Sequence, residues 1–442
     1  MNLKKYFELA KDAGIESLEL YIVKNYSLGF SLFHSEIDSY SLSDSISLGA
    51  RGIFNGKMGY AYSEKIDKTT PEFVIKNIVE NAKNITNDNK VEIFKGSEKY
   101  KKFNCYNKEL DNIPVSTKLN TLYEIEKKLK ESDNRITEIG GVGYEESRNE
   151  TIIANSYGLK LSEKSNMYVI YAEAVAKDGE DTKTGYKTFF DNDFSKFKVD
   201  DFVKDVKDNT IKQLGGKPCD SKKYRAILAP KVVSSLMSAL LESTIAEEVQ
   251  KHSSLFEGKL GTQILSKKIT ITEKPLEKTI FFKSFDDEGV ATYNKDIFKN
   301  GVLMTYLYNI ETSLKDGVKT TANGYRESSK LPIKTGLSSV YLKPGKVSEE
   351  ELIAKCDDGI YIDSITGLHA GLNSQSGNFS LQATGFMIRD GKLAEPVNLI
   401  TVAGNLVKVF QDVTMVANNS ELLSSGNSVS SIMIKSIAVS GN

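Results

Sequence analysis

Hydrophobic positions in the first ninety residues change from helical to strand-like spacing and back. Over residues 1–13 apolar side chains recur every three or four positions, which predicts a helix that ends at Gly14. From Glu16 to Ser63 polar and apolar positions alternate, as in strands with one buried face. Within that stretch, Asn55 and Gly56 predict a two-residue hairpin turn, because both turn positions favour positive φ. A second helix is predicted from Thr70 to about Ile85, with a proline in its first turn.

The following part of the chain predicts a second unit of the same type. Residues 91–114 are polar without a sustained period, so we interpret them as a connector after an N-terminal α+β domain of residues 1–90. Residues 115–218 are interpreted as a middle α+β domain. Its predicted elements are a helix from Ser116 to Ser132, strands over Thr137–Glu145, Glu150–Asn155 and Ser165–Ala176, and a helix from Val199 to Leu214.

The C-terminal part, residues 223–442, is rich in strands and carries one long amphipathic segment. A helix is predicted over residues 230–249, because apolar positions recur at helical spacing and Pro230 suits a first turn. Asn-Gly and Asp-Gly dipeptides separate the β-rich runs that follow. We therefore predict an α+β protein: two N-terminal α+β domains, then a large, mostly antiparallel sheet or half-barrel with the helix packed against it.

Composition and charge argue against several classes of function. The 442 residues include 58 basic and 59 acidic side chains, so no clustered basic face for nucleic acid is indicated. Cys105, Cys219 and Cys356 are far apart in sequence, which is typical of reduced thiols in a cytoplasmic protein. No apolar run approaches the roughly 18–20 residues of a membrane span, and the first helix is charged, unlike a signal peptide. We expect a cytoplasmic protein without membrane or direct nucleic-acid partners.

Candidate catalytic chemistry is sparse. A helix that presents two imidazoles to one metal ion needs histidines about one turn apart, but His34, His252 and His369 are distant from one another. The sequence contains no G-x-S-x-G nucleophile motif and no phosphate-binding glycine loop. One alternative stays open, in which the fold brings Glu242, His252 and His369 together as unusual metal ligands.

Short motifs follow one another in a particular order along the C-terminal part. They are K-H-S-S-L-F at 251–256, F-D-D-E-G at 285–289, N-G-V-L at 300–303, N-G-Y-R-E-S at 323–328, a glycine-rich segment at 367–389 and V-A-G-N-L at 402–406. In order and spacing they resemble the C-terminal domain of the TldD/PmbA (TldD/TldE) family, which includes zinc metallopeptidases. A weaker likeness extends over residues 16–63. The N-G-Y-R-E-S wording is nearer to the TldD branch than to the TldE branch.

The resemblance also places a metal-binding helix, from which this chain departs. In the TldD branch that helix resembles H-E-x-x-x-H, and the corresponding positions here are Met237, Ser238 and Glu242. None of them carries the residue that the motif needs. Residues 424–429, where the TldD branch has a cysteine ligand, contain no cysteine. The chain therefore resembles the TldE/PmbA branch, which implies that it has no catalytic residue and no metal of its own.

Partners and substrates are implied by the same resemblance. The expected assembly is a cytoplasmic complex, heterodimeric or larger, in which a TldD-like paralogue supplies zinc and general base for cleavage of unfolded peptides or peptide precursors. A homodimer is the other expected assembly. Family members have carried the label "modulator of DNA gyrase". Two alternatives stay open: an autonomous metallopeptidase with unusual ligands, and a non-enzymatic peptide-binding or scaffold homodimer.

Candidate substrate-binding residues lie in the segments that carry the resemblance. Arg326, with Glu327 beside it, is expected to pair with a carboxylate, and His369 to exchange a proton near pH 7. Gly371 belongs to a segment whose glycines let a peptide backbone approach closely, and strand edges could accept an extended peptide. The alternative for the first of these segments is that Asp287, Arg326 and Glu327 form turn-stabilising salt bridges.

Overall fold

The N-terminal half of the computed structural model, which describes all 442 residues, forms one curled antiparallel sheet. Its strands are β1 (Ser17–Phe33), β2 (Glu36–Phe54), β3 (Lys57–Ser63), β4 (Ile136–Asn155), β5 (Lys160–Asp178) and β6 (Asp181–Asp191). They lie in the order β3-β2-β1-β4-β5-β6. Because β1 pairs with β4, the N-terminal and middle parts of the chain share this sheet.

Helices cover one face of the sheet and leave the other face towards the C-terminal half. They are α1 (Leu3–Asp12), α2 (Thr70–Lys83), α3 (Lys108–Asn112), α4 (Val115–Ser132) and α5 (Val199–Ile211). Leu28 and Phe30 in β1 are buried in the core beneath α4 and α5. Since successive side chains of a strand point to opposite faces, the residues between them lie on the uncovered side, which we call the inner face.

Local sequence patterns correctly predict some of these elements and wrongly predict the bounds of others. Asn55 and Gly56 have φ values of 50° and 71° and close the β2–β3 hairpin, as predicted. The two strands predicted between residues 137 and 155 are instead one strand, β4. Glu146 in its middle is buried and accepts a hydrogen bond from Lys118, so the polar residues that suggested a turn continue the sheet.

The C-terminal half contains fourteen strands, most of them short. They are β7 (Lys222–Leu228), β8 (Ile271–Glu273), β9 (Lys295–Lys299), β10 (Val302–Leu303), β11 (Gly324–Tyr325), β12 (Lys334–Thr335), β13 (Val340–Leu342), β14 (Gly359–Thr366), β15 (Asn378–Arg389), β16 (Lys392–Asn405), β17 (Val413–Val416), β18 (Glu421–Leu422), β19 (Ser428–Val429) and β20 (Ile432–Ser440). The helices of this half are α6 (Pro230–Leu241), α7 (Ala246–Gln250), α8 (Ile310–Asp316), α9 (Glu349–Cys356), α10 (Leu368–Gly371) and α11 (Leu406–Gln411).

Five of these strands close into a barrel. They pair in the order β16-β15-β14-β7-β20, and β20 pairs again with β16. Only the β7–β14 pair within the barrel is parallel. A second sheet has the order β10-β9-β8-β13-β19-β18, and α6 contacts both β14 of the barrel and β19 of this sheet. The α+β class and the large, mostly antiparallel C-terminal sheet with its packed helix, predicted from the sequence, are confirmed, and this sheet closes into a full barrel.

The helix predicted over residues 230–249 is broken, which corrects the interpretation of its periodicity. α6 ends at Leu241 and a 3₁₀ turn spans Glu242–Thr244 before α7 begins. Ile245 is extended between them and forms a β-bridge with Leu307, whose N–H donates to the Thr244 carbonyl. Backbone pairing with a neighbouring segment therefore replaces the helical hydrogen bonds at this point. None of the eleven α-helices combines the length and apolar character that a bilayer crossing requires.

Candidate functional site

A cavity of about 680 Å³ lies between the inner face of the N-terminal sheet and loops of the C-terminal half. Strands β1, β4 and β5 form its floor, and residues 280–283, 325–329 and 337–339 form its wall. Its volume falls within the range of about 300–1,000 Å³ that is usual for ligand-binding clefts. Because it lies where the two halves meet, both halves contribute side chains to it.

Short, uncharged polar side chains form part of the cavity floor, beside Tyr21, Val23 and Met167. Asn25 in β1, Ser147 and Asn149 in β4, and Ser165 in β5 all line it. The strand register sets Asn25 opposite Asn149, and Asn149 opposite Ser165. The side chains of these four residues make no hydrogen bond within the protein, although the Ser45 hydroxyl donates to the Asn25 backbone carbonyl at 3.4 Å. The floor therefore offers amide and hydroxyl groups that are free to bind a ligand or water.

Strand β2 extends this polar surface beyond the cavity. Its serines at alternate positions occupy the inner face, and Ser45 lies opposite Asn25. Ser47 reaches the wall, where its Oγ lies 2.6 Å from the Oγ of Ser329. A Cβ on Gly49 would lie 2.2 Å from the Ser329 carbonyl oxygen, so only glycine allows the wall segment to pack this closely on β2.

Arg326 stands in the wall with its side chain only 2% exposed. Its guanidinium carbon lies 4.8 Å from the centre of the Tyr21 ring, and its Nη2 donates to Glu19 Oε1 at 3.2 Å. Its backbone N–H donates to Asp287 Oδ2 at 2.8 Å. Arg326 Nε and the Tyr325 hydroxyl are buried without a hydrogen-bond partner in the protein. Buried donors are rarely left unpaired, but these two atoms have no exposed surface of their own although Tyr325 and Arg326 line the cavity.

Two cationic and three acidic residues line the cavity. Glu163 lies on strand β5 of the floor, and the other four belong to the C-terminal half: Lys283, Asp287, Arg326 and Glu327. Burial raises the pKa of the Glu163 carboxyl, while Lys283 and the Ser284 N–H, 2.9 Å away, oppose the rise. Burial, followed by the charge of Asp287, raises the pKa of the Tyr21 hydroxyl. The hydroxyl of Tyr21 is therefore neutral, and the central floor carries no charge.

A buried ion cluster joins the two halves behind the cavity. Arg51 in β2 donates to both oxygens of Glu19 at 2.8 and 3.0 Å and to Glu288 Oε1 at 3.2 Å. Together with Arg326, these residues are the junction ion cluster. Burial lowers the pKa of the Arg51 guanidinium, but the negative charges of Glu19 and, to a smaller extent, Glu288 raise it above the ordinary value. Burial raises the pKa of Glu288, and Arg51 counteracts that rise.

The F-D-D-E-G motif builds the turn that carries Glu288 into this cluster. Asp286 is fully buried and accepts backbone N–H bonds from Glu288 at 3.0 Å, Val290 at 2.9 Å and Gly324 at 2.9 Å. Burial, followed by the neighbouring Glu288, raises the pKa of the Asp286 carboxyl well above its ordinary value, against the effect of these donors. The motif thus has a direct role in holding the wall on the sheet.

The N-G-Y-R-E-S segment has a similar role. The side-chain amide of Asn323 donates to both oxygens of Glu273, at 2.9 and 3.0 Å, and Lys295 also donates to Glu273. A Cβ on Gly324 would lie 2.5 Å from Glu288 Oε2, so glycine is required for the close approach of these two segments. Of the candidate substrate-binding residues, Arg326 and Glu327 line the cavity, and Glu327 is exposed and pairs with Lys334 at 3.3 Å.

The positions that correspond to the metal motif lie on or next to α6. Met237 is fully buried in the C-terminal core, and the side chain of Ser238 accepts a hydrogen bond from Asn427 at 3.1 Å. Asn427 also donates to Ser234 at 3.2 Å. Glu242 is solvent-exposed, although desolvation by the surrounding protein and then Glu248 raise the pKa of its carboxyl.

The donor set at α6 does not fit a zinc ion. Zinc in proteins is held by imidazole nitrogens, thiolates and carboxylates. Ser238 and Asn427 offer neutral hydroxyl and amide groups that are already bonded to each other. The two stretches that the resemblance brings to one metal, α6 and residues 424–429, do meet in the structure, but through this hydroxyl–amide contact.

The remaining candidate residues lie apart from the cavity lining. His252 is exposed, with Nδ1 2.6 Å from Glu257 Oε1, and His369 is exposed on α10. Gly371 packs on β15, since a Cβ there would lie 2.2 Å from the Ser380 carbonyl oxygen. No group of three or more His, Cys, Asp or Glu side chains anywhere in the structure is arranged to hold a metal ion. The alternative ligands Glu242, His252 and His369 are therefore not brought together.

Sequence reasoning missed the residues that shape the cavity. Glu19 and Arg51 occur in alternating strand patterns and give no sign of their pairing, because it depends on strand register. Asn25 lies in the alternating stretch from Glu16 to Ser63, and Asn149 lies in the turn predicted between Glu145 and Glu150, so neither is indicated as a cavity residue. A signal for the polar floor was present: serine occupies every second position from 39 to 47, so one face of β2 is uniformly hydroxylated.

Comparison with known proteins gives a consistent result along the chain. Models of three consecutive domains match it: "PmbA/TldA metallopeptidase domain 1" at residues 18–86, the central domain at 108–214 and the C-terminal domain at 221–441. An uncharacterized protein of Methanocaldococcus jannaschii is 28% identical over 93% of this chain and 94% of its own length. A metalloprotease PmbA homologue of Buchnera aphidicola is 28% identical over 83% of this chain and 81% of its own.

Two solved structures share the fold over the full chain. One, described as a modulator of a DNA gyrase from Thermotoga maritima, superposes with a TM-score of 0.91 at 26% identity and covers 99% of both chains. The other, TldE from Thermococcus kodakarensis, also has a TM-score of 0.91, at 22% identity, and covers 99% of this chain and 100% of that chain.

Proposed function

Because the chain belongs to the PmbA/TldD metallopeptidase family, we propose that it is a TldE/PmbA-like subunit of a cytoplasmic metallopeptidase complex that cleaves unfolded peptides or peptide precursors. In this proposal a TldD-like paralogue supplies the catalytic zinc and the general base. This chain contributes a peptide-binding cavity and completes the enclosure around the substrate. It takes no metal of its own and binds neither nucleic acid nor membrane directly.

The observation that carries the proposal is the chemistry at α6. The family is one of metallopeptidases, yet Met237 is a core residue and Ser238 is bonded to Asn427. A chain with this donor set would depend on another subunit for metal-assisted hydrolysis. The names of similar proteins also support the proposal, since they include metalloproteases of the PmbA type and a TldE of the same fold.

The cavity supports the peptide-binding part of the proposal. It has the volume of a ligand site, about 680 Å³, and uncharged polar groups form part of its floor. An unfolded peptide exposes unpaired main-chain N–H and C=O groups, which such side chains can bind. A folded protein has few of these groups free, so the cavity chemistry favours extended chains.

Metal content and reconstitution of peptidase activity test the proposal. The purified chain is analysed for zinc by plasma mass spectrometry and assayed on an unfolded casein or peptide substrate, alone and after mixing with a TldD-like chain that carries H-E-x-x-x-H. We expect no stoichiometric zinc and no cleavage by this chain alone. The mixture should cleave in a chelator-sensitive way and elute as a complex in size-exclusion chromatography.

A double variant controls this experiment. Glu242→Ala together with His252→Ala removes two of the alternative metal ligands, and both residues are solvent-exposed, so the fold should be retained. We expect the double variant to match the wild type in metal content and in the mixed assay. Stoichiometric zinc in the wild type that is lost in the variant, with cleavage by the isolated chain, would overturn the proposal. A stable homodimer that ignores the TldD-like chain would overturn the assignment of the partner.

A further inference from the structure

A loop of the C-terminal half lies between the cavity and a second cavity of about 590 Å³. Residues 280–283 line the first cavity and residues 278–280 line the second. Ile280 lines both, so the loop is the partition between them. The second cavity opens to solvent, since Lys278 and Glu421 in its lining are exposed. The position of this loop therefore decides whether the two spaces are joined.

The loop is ordered by hydrogen bonds of its own. The Lys283 N–H donates to the Pro275 carbonyl at 2.8 Å and closes the two ends of the loop on each other. Within it, the Phe282 N–H donates to the Thr279 carbonyl at 3.2 Å. No backbone group of residues 277–282, which we call the lid, pairs with a helix or a strand. Compact loops with closed ends are frequently functional, and such a loop can move as one body about its ends.

Aromatic contacts hold the lid on the N-terminal half. The ring of Phe281 packs against Phe190 in β6, with ring centroids 5.9 Å apart. The ring of Phe282 packs against Phe103, with centroids 5.5 Å apart. Just after the lid, Glu163 accepts the backbone hydrogen bond described above. Because opening breaks only a few such contacts and keeps the hydrogen bonds inside the loop, it requires less free energy than global unfolding.

A native thiol, that of Cys105, lies against the lid. Cys105 lines the second cavity and is 3% exposed. Burial, followed by the charge of Glu163, raises the pKa of this thiol to about 11, while the Phe282 N–H and Lys283 oppose the rise. Cys356 is a matched thiol in the C-terminal core: it is fully buried, and burial raises its pKa to about 11 as well. The two thiols therefore differ chiefly in the motion that exposes them.

We propose that residues 277–282 form a lid that opens as a unit about Pro275 and Lys283, and that opening joins the two cavities into one passage from solvent to the polar floor. The structure described here has the lid closed, with its phenylalanine rings packed on the N-terminal half. This inference goes beyond the proposed function, because it requires neither a metal-bearing partner nor a peptide. It makes access to the cavity depend on the lid.

The rate at which Cys105 reacts with N-ethylmaleimide measures opening. The full chain is incubated with the reagent, quenched at intervals and digested, and the labelled fraction of each cysteine is read by mass spectrometry. We expect Cys105 to react at least about tenfold faster than Cys356, since local opening is more frequent than global unfolding. Cys219, which is only partly buried, reports the activity of the reagent. Equal rates at Cys105 and Cys356 would overturn the inference, because only global unfolding would then expose either thiol.

The variant Phe281→Ala assigns the motion to the lid. It removes the contact with Phe190, so we expect Cys105 to react about tenfold faster than in the wild type, with no change at Cys356. Phe73→Ala is the matched control, since it removes an exposed ring on α2, away from the lid. The control should leave both rates unchanged. A Phe281→Ala chain in which Cys105 reacts at the wild-type rate contradicts the inference.

A second variant covers loss of the fold. If Cys356 in Phe281→Ala reacts as fast as Cys105, that variant is unfolded and Glu163→Gln takes its place, because it keeps the side-chain volume and weakens the bond to Ser284. Cys105 should then react faster than in the wild type, without a change at Cys356, and an unchanged rate would refute the lid. Cleavage by the mixture with a TldD-like chain tests the proposed function alone and does not enter these rates.

Discussion

The junction ion cluster gives a prediction whose size follows from its contacts. Glu19 is 1% exposed and accepts three hydrogen bonds from charged donors: Arg51 Nε at 2.8 Å, Arg51 Nη2 at 3.0 Å and Arg326 Nη2 at 3.2 Å. Glu19→Ala leaves Arg51 with only Glu288 and leaves Arg326 without a carboxylate partner. Removing one member of a buried ion pair typically costs about 3–5 kcal/mol, because the remaining charge stays buried and uncompensated. We expect a loss of that size.

Chemical denaturation followed by circular dichroism and tyrosine fluorescence measures this loss. An exposed ion pair provides the control: Arg389 and Glu395 lie 3.1 Å apart with about half of each side chain exposed. Glu395→Ala should lower the free energy of unfolding by only about 0–1 kcal/mol. Because the cluster joins two parts of the chain, the Glu19 variant is also expected to separate the unfolding of the N-terminal sheet from that of the C-terminal half.

A small effect would refute the reasoning. If Glu19→Ala and Glu395→Ala cost the same, the two arginines must find other partners or water, and the two halves would not depend on this cluster. Glu19→Gln refines the result, since it keeps the volume and one acceptor while removing the charge. We expect it to cost less than Glu19→Ala and more than the surface control.

Three further predictions concern close contacts and buried polar groups. Gly59→Ala places a Cβ 2.0 Å from the Ile78 carbonyl oxygen and should cost about 1–3 kcal/mol in urea unfolding, whereas Gly141→Ala, with 3.8 Å of room, should be near neutral. Asn427→Ala leaves two serine hydroxyls of α6 without their donor and should lower the melting temperature at a cost of about 1–3 kcal/mol. Burial raises the pKa of the Glu146 carboxyl, but hydrogen bonds from Lys118 and other donors lower it by more, so the pKa is lower in the folded protein than in the unfolded chain. The stabilisation from this shift is complete above the pKa of the unfolded chain and is lost as the pH falls through the pKa of the folded protein. The acid-range slope of unfolding free energy against pH should therefore be shallower in Glu146→Gln.

Much of the fold could be predicted because its signals are local. The Asn55–Gly56 turn, the helix started by Pro230 and the alternation in β1 and β2 depend on neighbouring residues alone. The errors arise where tertiary contacts override a local pattern. Residues 146–149 look like a turn until Lys118 from α4 neutralises Glu146, and the helix after Leu241 breaks because Ile245 pairs with Leu307.

The cavity could be predicted only in part. The N-G-Y-R-E-S motif predicts Arg326 and Glu327 as binding residues, and both line the cavity. Asn25 and Asn149 could not be brought together from sequence, since strand order β1-β4 joins residues more than a hundred positions apart. The register that sets these two amides opposite each other is fixed by long-range pairing, which no local pattern specifies.

The contacts of residues 323–328 explain why this segment has the TldD-like sequence N-G-Y-R-E-S. Asn323 holds Glu273, Gly324 allows contact with Glu288, and Arg326 pairs with Glu19. Each contact joins the wall to its surroundings, and none of them involves the metal-motif positions on α6. A chain with or without a metal site would need the same contacts to hold the cavity wall on the sheet. The segment therefore has a structural role in the cavity wall, and this role is independent of whether the subunit carries zinc.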